Sequence, residues 1–274
     1  MRKNQSEIIR NLDTVPSINP TAEIERRSQF LADYLGQTGL NGFVLGISGG
    51  QDSLLAGLLA QRAVEIRRDN GYEATFHAAL LPYGTQVDRA DAELAITTIN
   101  PDAVHDIDIK PGVDGMATAF EAAEGRPMRD FDKGNVKARM RMIAQYALAG
   151  EHGLLVVGTD HAAEAVTGFF TKYGDGGADV LPLAGLTKRQ GRAMLQALDV
   201  PDIFITKQPT ADLLDARPGQ ADESELGISY AVLDDYLEGK TVPKDTATTI
   251  EARYVATAHK RALPVGYPGT EVIH

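Results

Sequence analysis

Short apolar runs separated by longer helical patterns extend along much of the chain. Four runs rich in branched residues predict buried strands, at 43–47, 75–81, 104–109 and 154–157. Three stretches with a helical spacing of apolar positions lie between them, at 53–68, 88–99 and 135–149. Strands that are apolar on both faces and separated by helices are typical of a parallel sheet covered on both sides. We therefore predict a doubly wound α/β fold, whose ligands bind beyond the carboxyl ends of the strands.

The same pattern predicts where some helices begin and where regular structure stops. Asn19-Pro20 predicts the start of a helix that precedes the first strand, and Asn135 is a candidate N-cap for the helix at 135–149. The segment 207–226 combines prolines, a glycine and several acids, and we expect a mobile loop there. No convincing boundary divides the chain, so residues 1–274 are expected to form a single domain.

Composition and charge narrow the class of protein. The hydrophobic and charged fractions, 43% and 24%, are ordinary for a globular protein. A net charge of -11 repels phosphate polymers, so we expect no nucleic-acid partner. The absence of cysteine excludes a thiolate metal site and a thiol nucleophile, and is consistent with the cytosol. No apolar stretch approaches the roughly 20 residues that cross a bilayer, and the N-terminus has no apolar core for a signal peptide. We expect a cytoplasmic protein with no membrane partner.

The strongest chemical signal follows the first predicted strand. It is the octapeptide Gly46-Ile47-Ser48-Gly49-Gly50-Gln51-Asp52-Ser53, which leads directly into a helix. Paired glycines bring backbone N–H groups close to an anion, and the helix N-terminus adds a favourable partial charge. A Walker A loop would need Gly-Lys where Gln51-Asp52 stand, so the loop fits pyrophosphate and a metal on Asp52 better. The plainer alternative is a glycine-rich turn in which Asp52 and Ser53 cap the helix.

A second group of polar residues follows the fourth predicted strand. Gly158-Thr159-Asp160 lies between that strand and a predicted helix, where Thr159 is placed to cap the helix and to reach a nucleotide. Asp160 and Glu164 are four residues apart, which predicts a shared helical face. Glu164 would then complete a Mg²⁺ site with Asp52, since carboxylate oxygens are the protein ligands that this ion prefers.

Taken together, these motifs resemble those of the bacterial ammonia-dependent NAD synthetases, members of the ATP pyrophosphatase group. The resemblance continues through 158–179, 134–139, 186–191, 209–213 and 259–260, and it covers most of the chain. It implies an adenine nucleotide alpha hydrolase-like fold and the last step of NAD biosynthesis. In that step ammonia and ATP convert deamido-NAD into NAD, AMP and pyrophosphate through an adenylated carboxylate.

The resemblance also implies which residues bind each ligand. ATP contacts are implied for Gly46, Ile47, Ser48, Gly49, Gly50, Gln51, Asp52, Ser53, Thr159, Lys188 and Thr210. Deamido-NAD contacts are implied for Arg139, Lys172, Asp179, His259 and Lys260. The metal would be held by Asp52 and Glu164. Family members are homodimers with deamido-NAD at the subunit interface, so some of these contacts would come from a partner chain.

Two residues are candidates for direct roles in the reaction. Lys188 is expected to meet the charge that grows on pyrophosphate. Asp175, in a glycine-rich turn, is the candidate that binds ammonium and accepts its proton, although an Asp there can also serve turn geometry. Without a catalytic cysteine the chain lacks a glutaminase site, so free ammonia is the expected nitrogen source unless a separate subunit supplies it.

Several plainer readings compete with these assignments. The lysines at 172, 188 and 260 would ordinarily be solvated surface charges, and Arg139 would fit the polar face of a helix. His161 is interpreted as structural, because no second histidine stands at metal-binding spacing. Two departures from the family pattern are Leu80, where relatives often carry arginine, and the tail 262–274, which lacks the expected acidic-aromatic ending. A tRNA-modifying adenylase and a non-catalytic nucleotide-binding protein are the alternative functions.

Overall fold

The computed structural model describes residues 2–85, 88–210, 215 and 219–266. Its strands are β1 (Gly42–Gly46), β2 (Thr75–Leu80), β3 (Ala103–Asp106) and β4 (Leu154–Val156). Across the described residues these strands form one sheet in the order β3-β2-β1-β4, and each neighbouring pair is parallel. The four predicted strands and their parallel arrangement are therefore confirmed, with small differences in their bounds.

Helices connect the strands and continue after them. They are α1 (Lys3–Asn11), α2 (Pro20–Thr38), α3 (Gln51–Asp69), α4 (Arg89–Ile99), α5 (Lys110–Glu124), α6 (Asp130–His152), α7 (Ala162–Thr167), α8 (Lys188–Ala197), α9 (Asp202–Thr206), α10 (Asp222–Leu226), α11 (Tyr230–Leu237) and α12 (Lys244–Ala256), with a 3-10 turn at Ala258–Lys260. The predicted start of α2 is confirmed, because the Asn19 side chain accepts a hydrogen bond from Ala22 N at 3.1 Å.

Both faces of the sheet are covered, as the apolar strands predict. Phe43 and Leu45 of β1 pack on one face with apolar residues of α2, α3 and α8. Val44 packs on the other face with apolar residues of α5 and α6, among them Val113 and Ala149. Each large apolar side chain buried in this way stabilises the fold by about 1.5–3 kcal/mol. The two layers therefore fix β1, and with it the loop that follows β1.

The strand order places the candidate ligand site between β1 and β4. From β1 the chain adds β2 and then β3 on one side, whereas β4 pairs with the opposite edge of β1. The order of strands therefore reverses at β1, which is the topological switch point at which α/β sheets bind ligands. The loops that leave the carboxyl ends of these two strands begin at Ile47 and Val157.

A further apolar cluster lies beside the sheet and is built from α1, α7, α11 and α12. Leu233, Tyr236 and Ile250 are fully buried in it. The Gln5 side chain attaches α1 to this cluster by donating hydrogen bonds to the carbonyl oxygens of Tyr236 and Lys240, at 2.8 and 2.9 Å. Because α7 belongs to this cluster, its packing also holds Glu164 beside the end of β4.

Asn135 does not cap a helix, so that prediction is wrong. Helix α6 begins at Asp130, and Asn135 lies inside it and accepts a hydrogen bond from Thr171 Oγ1 at 2.8 Å. Asp130 and Asp132 lie in the first turn, where acidic side chains interact favourably with the helix N-terminus. The true start is therefore stabilised by charge rather than by an amide cap.

The predicted cap at Thr159 is also wrong. Helix α7 begins only at Ala162, after His161, and no side chain caps it. Asp160 therefore precedes the helix and does not share a helical face with Glu164. The glycine-containing turn after β4 extends the connection by a few residues, and this irregular stretch carries Thr159 and Asp160 instead.

Two other predicted segments, 104–109 and 207–226, differ from the prediction or lie partly outside the described residues. The strand predicted at 104–109 ends at Asp106, although Ile107 N and Ile109 N still donate to Leu80 O and Pro82 O at 2.9 Å. In the expected loop at 207–226, residues 211–214 and 216–218 lie outside the described residues. Thr210 and Ala221 form an isolated antiparallel bridge there, and α10 follows. The expectation of a single domain stays a prediction.

Across the described ranges, every helix is either too short or too polar to cross a membrane.

Candidate nucleotide and carboxylate-activation site

The loop after β1 is a compact turn held by its own serines. Ser48 N and Gly50 N donate to Ser53 Oγ and Ser48 Oγ, each at 3.2 Å, and the two hydroxyl oxygens are 3.1 Å apart. Gly49 has φ 79°, and a Cβ at this position would lie 2.7 Å from Ala92 N. Only glycine fits there, for both conformation and space. The paired glycines therefore serve a tight turn against α4, and Gly50 precedes the first residue of α3.

This loop borders a cavity of about 470 Å³ at the switch point between β1 and β4. The predicted residues that line it are Gly46, Ile47, Ser48, Gly50, Gln51, Asp52, Ser53, Thr159, Glu164, Asp175, Lys188, Thr210 and Lys260. Gly49 lies in the same loop but does not line the cavity. The structure thus brings together the ATP, metal and catalytic residues that the sequence predicts.

Lys188 is not a surface lysine. Its side chain is 4% exposed, and Nζ donates a hydrogen bond to Asp52 Oδ2 at 2.6 Å. Burial opposes its charge, but the attraction of Asp52 and Glu164 raises the pKa of Lys188 overall. For Asp52, burial favours the neutral acid, yet Lys188 and His161 lower the pKa of its carboxyl. The pair is therefore charged, and it joins the first turn of α3 to the first residue of α8.

Asp52, His161 and Glu164 lie together on one side of this cavity. One potential ligand atom from each residue lies within 4.8 Å of the others. His161 Nε2 is 3.8 Å from Asp52 Oδ2 and 3.6 Å from Glu164 Oε2, and neither ring nitrogen has a hydrogen-bond partner. Burial lowers the pKa of His161 to about 4, so its ring is neutral at pH 7. Burial and the nearby Asp52 charge raise the pKa of Glu164 well above its ordinary value.

Two further carboxyl groups extend this acidic surface toward Lys260. Burial, followed by repulsion from Asp175 and Asp52, raises the pKa of Asp160 to about 8. Burial also raises the pKa of Asp175, although Asp175 Oδ1 accepts a hydrogen bond from Thr171 N at 2.8 Å. Lys260 lies near both acids, and its Nζ donates to the carbonyl oxygens of Gly168 and Phe170 at 2.8 and 2.7 Å. Lys260 therefore offsets part of the negative charge of these two acids.

Four of the five predicted deamido-NAD residues lie outside the cavity lining, and only Lys260 borders it. Arg139 Nε and Nη2 both donate to Lys172 O at 3.3 Å, and Lys172 Nζ donates to His259 O at 2.5 Å. Asp179 accepts hydrogen bonds from Tyr146 Oη at 3.0 Å and from Val156 N at 2.8 Å. These residues form two small groups next to the cavity, and their roles stay predictions.

Sequence reasoning missed a group of cavity residues on α6 and around α9. Arg141 lines the cavity and donates from Nε to Leu81 O at 3.1 Å, and Gln145 Oε1 accepts from Gly46 N at 2.8 Å. Lys207 Nζ contacts Asp91 Oδ2 at 2.5 Å, next to the loop. Leu80, the departure from the family pattern, is 4% exposed in the core. The signal available in the sequence was the i, i+4 spacing of Arg141 and Gln145, which places both polar side chains on one face of a helix.

Comparison with known proteins gives a consistent assignment. The family model for NAD synthase matches residues 23–264. The chain is 59% identical over 261 residues to the NH3-dependent NAD+ synthetase of Bacillus pumilus (strain SAFR-032), with 95% of this chain and 96% of that protein covered.

Two solved structures extend the comparison to the fold. NAD+ synthetase from Burkholderia pseudomallei is 49% identical, with a TM-score of 0.81 over 95% of this chain and 96% of that chain. NMN synthetase from Francisella tularensis is 34% identical, with a TM-score of 0.80 over 92% of this chain and all of that chain (100%). The match confirms the predicted adenine nucleotide alpha hydrolase-like fold. By sequence and by fold, this chain belongs to the NAD synthase family of enzymes.

Proposed function

We propose that this enzyme catalyses the ATP-dependent amidation of deamido-NAD by ammonia, which yields NAD, AMP and pyrophosphate. The observation that carries the proposal is the buried Lys188–Asp52 pair at the edge of a glycine-rich turn after β1, within a cavity at the switch point. The pair places one fixed cation beside N–H groups of a helix N-terminus, where several phosphate oxygens would bind. The names of the relatives in the family support the same reaction.

ATP would bind along the loop and the start of α3. The N–H groups in the first turn of a helix have no partner within the helix, so they are available to an anion. Phosphate oxygens would compete with the hydroxyls of Ser48 and Ser53 for the loop N–H groups. Thr159 and Thr210 border the same cavity and complete the predicted contacts with the nucleotide. Arg141 adds a cation to the lining, although Leu80 occupies the position where relatives often carry arginine.

The residues around Asp52 fit a magnesium ion. Asp52 and Glu164 present carboxylate oxygens in one cluster on the side of the cavity, and oxygen is the donor that Mg²⁺ prefers. Both ring nitrogens of the neutral His161 lack a hydrogen-bond partner, so they could interact with the ion or with water bound to it. When bound, the ion would neutralise charge on the phosphate oxygens. Lys188 would share Asp52 with it.

The substrate carboxylate must first be activated, because direct attack of ammonia on its carbonyl carbon would have to expel oxide, which is a poor leaving group. A carboxylate oxygen attacks Pα of ATP, the new P–O bond forms, and the bond between Pα and the bridging oxygen breaks with its electron pair on pyrophosphate. Lys188 and the loop N–H groups stabilise the charge that grows there. The product of this step is a mixed anhydride with AMP, which is a far better leaving group.

Ammonia completes the reaction at the activated carbonyl. Because ammonium predominates at neutral pH, a base must first remove a proton. Asp175 is proposed to bind ammonium and accept that proton, since it lines the cavity and burial raises the pKa of its carboxyl. Nitrogen then attacks the carbonyl carbon, and AMP leaves with the electron pair of the bond between that carbon and its oxygen. The nitrogen, which is positively charged after the attack, releases one proton to solvent and becomes the neutral amide. Lys260, beside Asp175, limits the build-up of negative charge.

Deamido-NAD is proposed to lie across the interface of a homodimer. Helix α6 carries Arg139, Ile143 and Tyr146 at helical spacing, and both Ile143 and Tyr146 are exposed, at 52% and 37%. Tyr146 donates to Asp179, so two of the predicted substrate residues, Arg139 and Asp179, border this partly apolar surface. A second subunit there would cover the surface and close the substrate site. Sedimentation equilibrium should give twice the monomer mass of 29.4 kDa.

A mononucleotide acceptor is the second candidate substrate, because one relative at 34% identity is an NMN synthetase. Pyrophosphate release should be measured with ATP and ammonium, and with deamido-NAD, nicotinate mononucleotide or tRNA as the acceptor. The proposal expects deamido-NAD to give the highest kcat/KM and tRNA to give no turnover. A higher kcat/KM for the mononucleotide would change the substrate but keep the chemistry, whereas no turnover with any acceptor would contradict both.

A further inference from the structure

Three histidines from separate elements meet on the α6 side of the sheet. They are His77 of β2, His105 of β3 and His152, the last residue of α6. His105 Nε2 lies 3.1 Å from His77 Nδ1, and one nitrogen from each of the three rings lies within 4.8 Å of the others. The ring centroids are 4.8 to 5.6 Å apart. None of the three lines the nucleotide cavity.

The spacing of these nitrogens is close to that of ligands on one metal ion. Two nitrogens bonded to a tetrahedral Zn²⁺ at about 2.0 Å lie about 3.3 Å apart. The His77–His105 pair is close to this separation, and His152 is exposed at the end of a helix. The contact between His77 and His105 is a hydrogen bond, so the ring that donates in it would switch to its other tautomer before both nitrogens bind the ion. Strand pairing fixes the first two rings, because residues 77 and 105 lie on adjacent parallel strands. Two ligands are therefore preorganised and the third is adjustable.

Two of the three rings, His77 and His105, favour the neutral form. Burial, and then repulsion from the other histidines, lowers the pKa of His77, and burial followed by His152 lowers that of His105. Neutral imidazole keeps the lone pair that a metal needs. Asp102 is an acid whose charge acts on His77, but its carboxylate already accepts a hydrogen bond from Phe76 N at 2.8 Å and pairs with Arg68 at 2.8 Å. Nitrogen atoms alone therefore define the site.

We propose that His77, His105 and His152 form a second metal site, for Zn²⁺ or a similar divalent transition-metal ion, separate from the magnesium site. Imidazole nitrogen selects such ions over Mg²⁺, which prefers oxygen. Three protein ligands leave a fourth position on the exposed side for water. A bound ion would join β2, β3 and the end of α6, and would therefore stabilise the native state over the unfolded chain.

Zinc titration of the full chain tests this site. The protein is freed of any affinity tag and of metal, and titrated calorimetrically with ZnCl2. Every protein in this test also carries Asp52→Asn, because zinc would displace Mg²⁺ from the mixed nitrogen and oxygen ligands of Asp52, His161 and Glu164. This Asp52→Asn parent should bind one zinc with a measurable rise in Tm. His105→Gln and His152→Gln should each weaken zinc binding by about 100-fold or more, since even loss of a supporting contact can cost 10–100-fold. His259→Gln removes an exposed histidine elsewhere and should bind zinc like the parent.

Cobalt provides a readout that does not depend on a variant's stability. Co²⁺ added to the parent should give the visible absorption bands of a tetrahedral nitrogen site, and Zn²⁺ should remove them. The His152→Gln change is at an exposed helix end, so it should leave the metal-free Tm close to that of the parent. Equal zinc affinity in the parent, His105→Gln and His152→Gln, or octahedral cobalt bands that all three share, would overturn the proposal.

Discussion

Lys188 Nζ lies 2.6 Å from Asp52 Oδ2, in a contact that joins two helices whose residues are 136 positions apart in sequence. The lysine is 4% exposed and the aspartate 28%, so the cation is buried while its acid faces the cavity. A buried ion pair is costly to desolvate and is a poor device for stability alone. Its position at the phosphate loop instead indicates a cation held in place for an anionic ligand.

Loss of the Lys188 cation should damage chemistry more than folding. We expect Lys188→Met to lower kcat for pyrophosphate release by about 10²–10³-fold, the usual effect of removing one group that stabilises developing charge. Steady-state kinetics with saturating ATP and deamido-NAD would measure this. Arg189→Gln is the matched control, because the neighbouring Arg189 pairs with Asp235 and Glu238 at the surface and should keep activity. Comparable losses in both variants would refute the assigned role.

Removal of the Asp52 carboxylate should abolish turnover and leave the fold intact. Asp52→Ala deletes the predicted Mg²⁺ ligand, but it also removes a charge that raises the pKa of Glu164. In this variant the Glu164 carboxylate is still near Lys188 and attracts its charge. We therefore expect a native circular dichroism spectrum and a Tm within a few degrees of the parent. Asp52→Asn, with the same shape and no charge, should be equally inactive. Full activity in either variant would show that the magnesium assignment is wrong.

The proton acceptor can be distinguished from a turn residue by changing the nucleophile. Asp175→Asn keeps an oxygen to accept the hydrogen bond from Thr171 N, so the turn should survive. With ammonium we expect kcat to fall by about 10²–10⁴-fold, the range for general-base catalysis. Hydroxylamine is largely neutral at pH 7 and needs no prior deprotonation, so it should restore much of the turnover. An equal loss with both nucleophiles would indicate that Asp175 only positions the substrate.

Glu23 should give the fold a pH-dependent contribution. Burial alone would raise its pKa, but hydrogen bonds and attraction from Arg26 and Arg27 lower it below the ordinary value of 4.5. A depressed carboxyl pKa stabilises the fold above the unfolded pKa, and this contribution is lost as the pH falls through the folded value. We expect Glu23→Gln to lower the free energy of unfolding by about 1–2 kcal/mol at pH 7, between the values for exposed and buried pairs.

Urea unfolding at several pH values would measure that contribution. The difference between the parent and Glu23→Gln should shrink below pH 4.5. Glu25→Gln is the control, since Glu25 is 56% exposed in its pair with Arg62 and should cost less than about 1 kcal/mol. A difference for Glu23→Gln that stays constant down to the lowest pH would contradict the assigned ionisation.

Local sequence signals predicted the parts of the site that depend on local structure. The strand before Gly46 and the glycines of the loop follow from hydrophobic period and turn chemistry, and both are where the pattern places them. Helix α5 was missed because Lys110-Pro111-Gly112 at its start is typical of a turn. Asn135 was misassigned because a capping residue type was present but two acids earlier in the chain stabilise an earlier helix start.

Contacts between residues far apart in sequence could not be predicted from the local spacing of residue types. The Lys188–Asp52 distance depends on the packing of α8 against α3, which no local pattern encodes. The three histidines at 77, 105 and 152 are far apart in sequence, and only strand pairing and the end of α6 bring them together. Lys188 was predicted from the resemblance to the family, whereas no motif in the sequence indicated the three histidines.

NAD formation from deamido-NAD is the measurement that tests the proposed function most directly. The purified chain is given ATP, Mg²⁺ and deamido-NAD with either ammonium or glutamine, and NAD, AMP and pyrophosphate are quantified together. We predict one AMP and one pyrophosphate for each NAD with ammonium, and no NAD with glutamine alone. ATP cleavage to ADP and phosphate, or a failure to form NAD with ammonium at any concentration, would contradict the account.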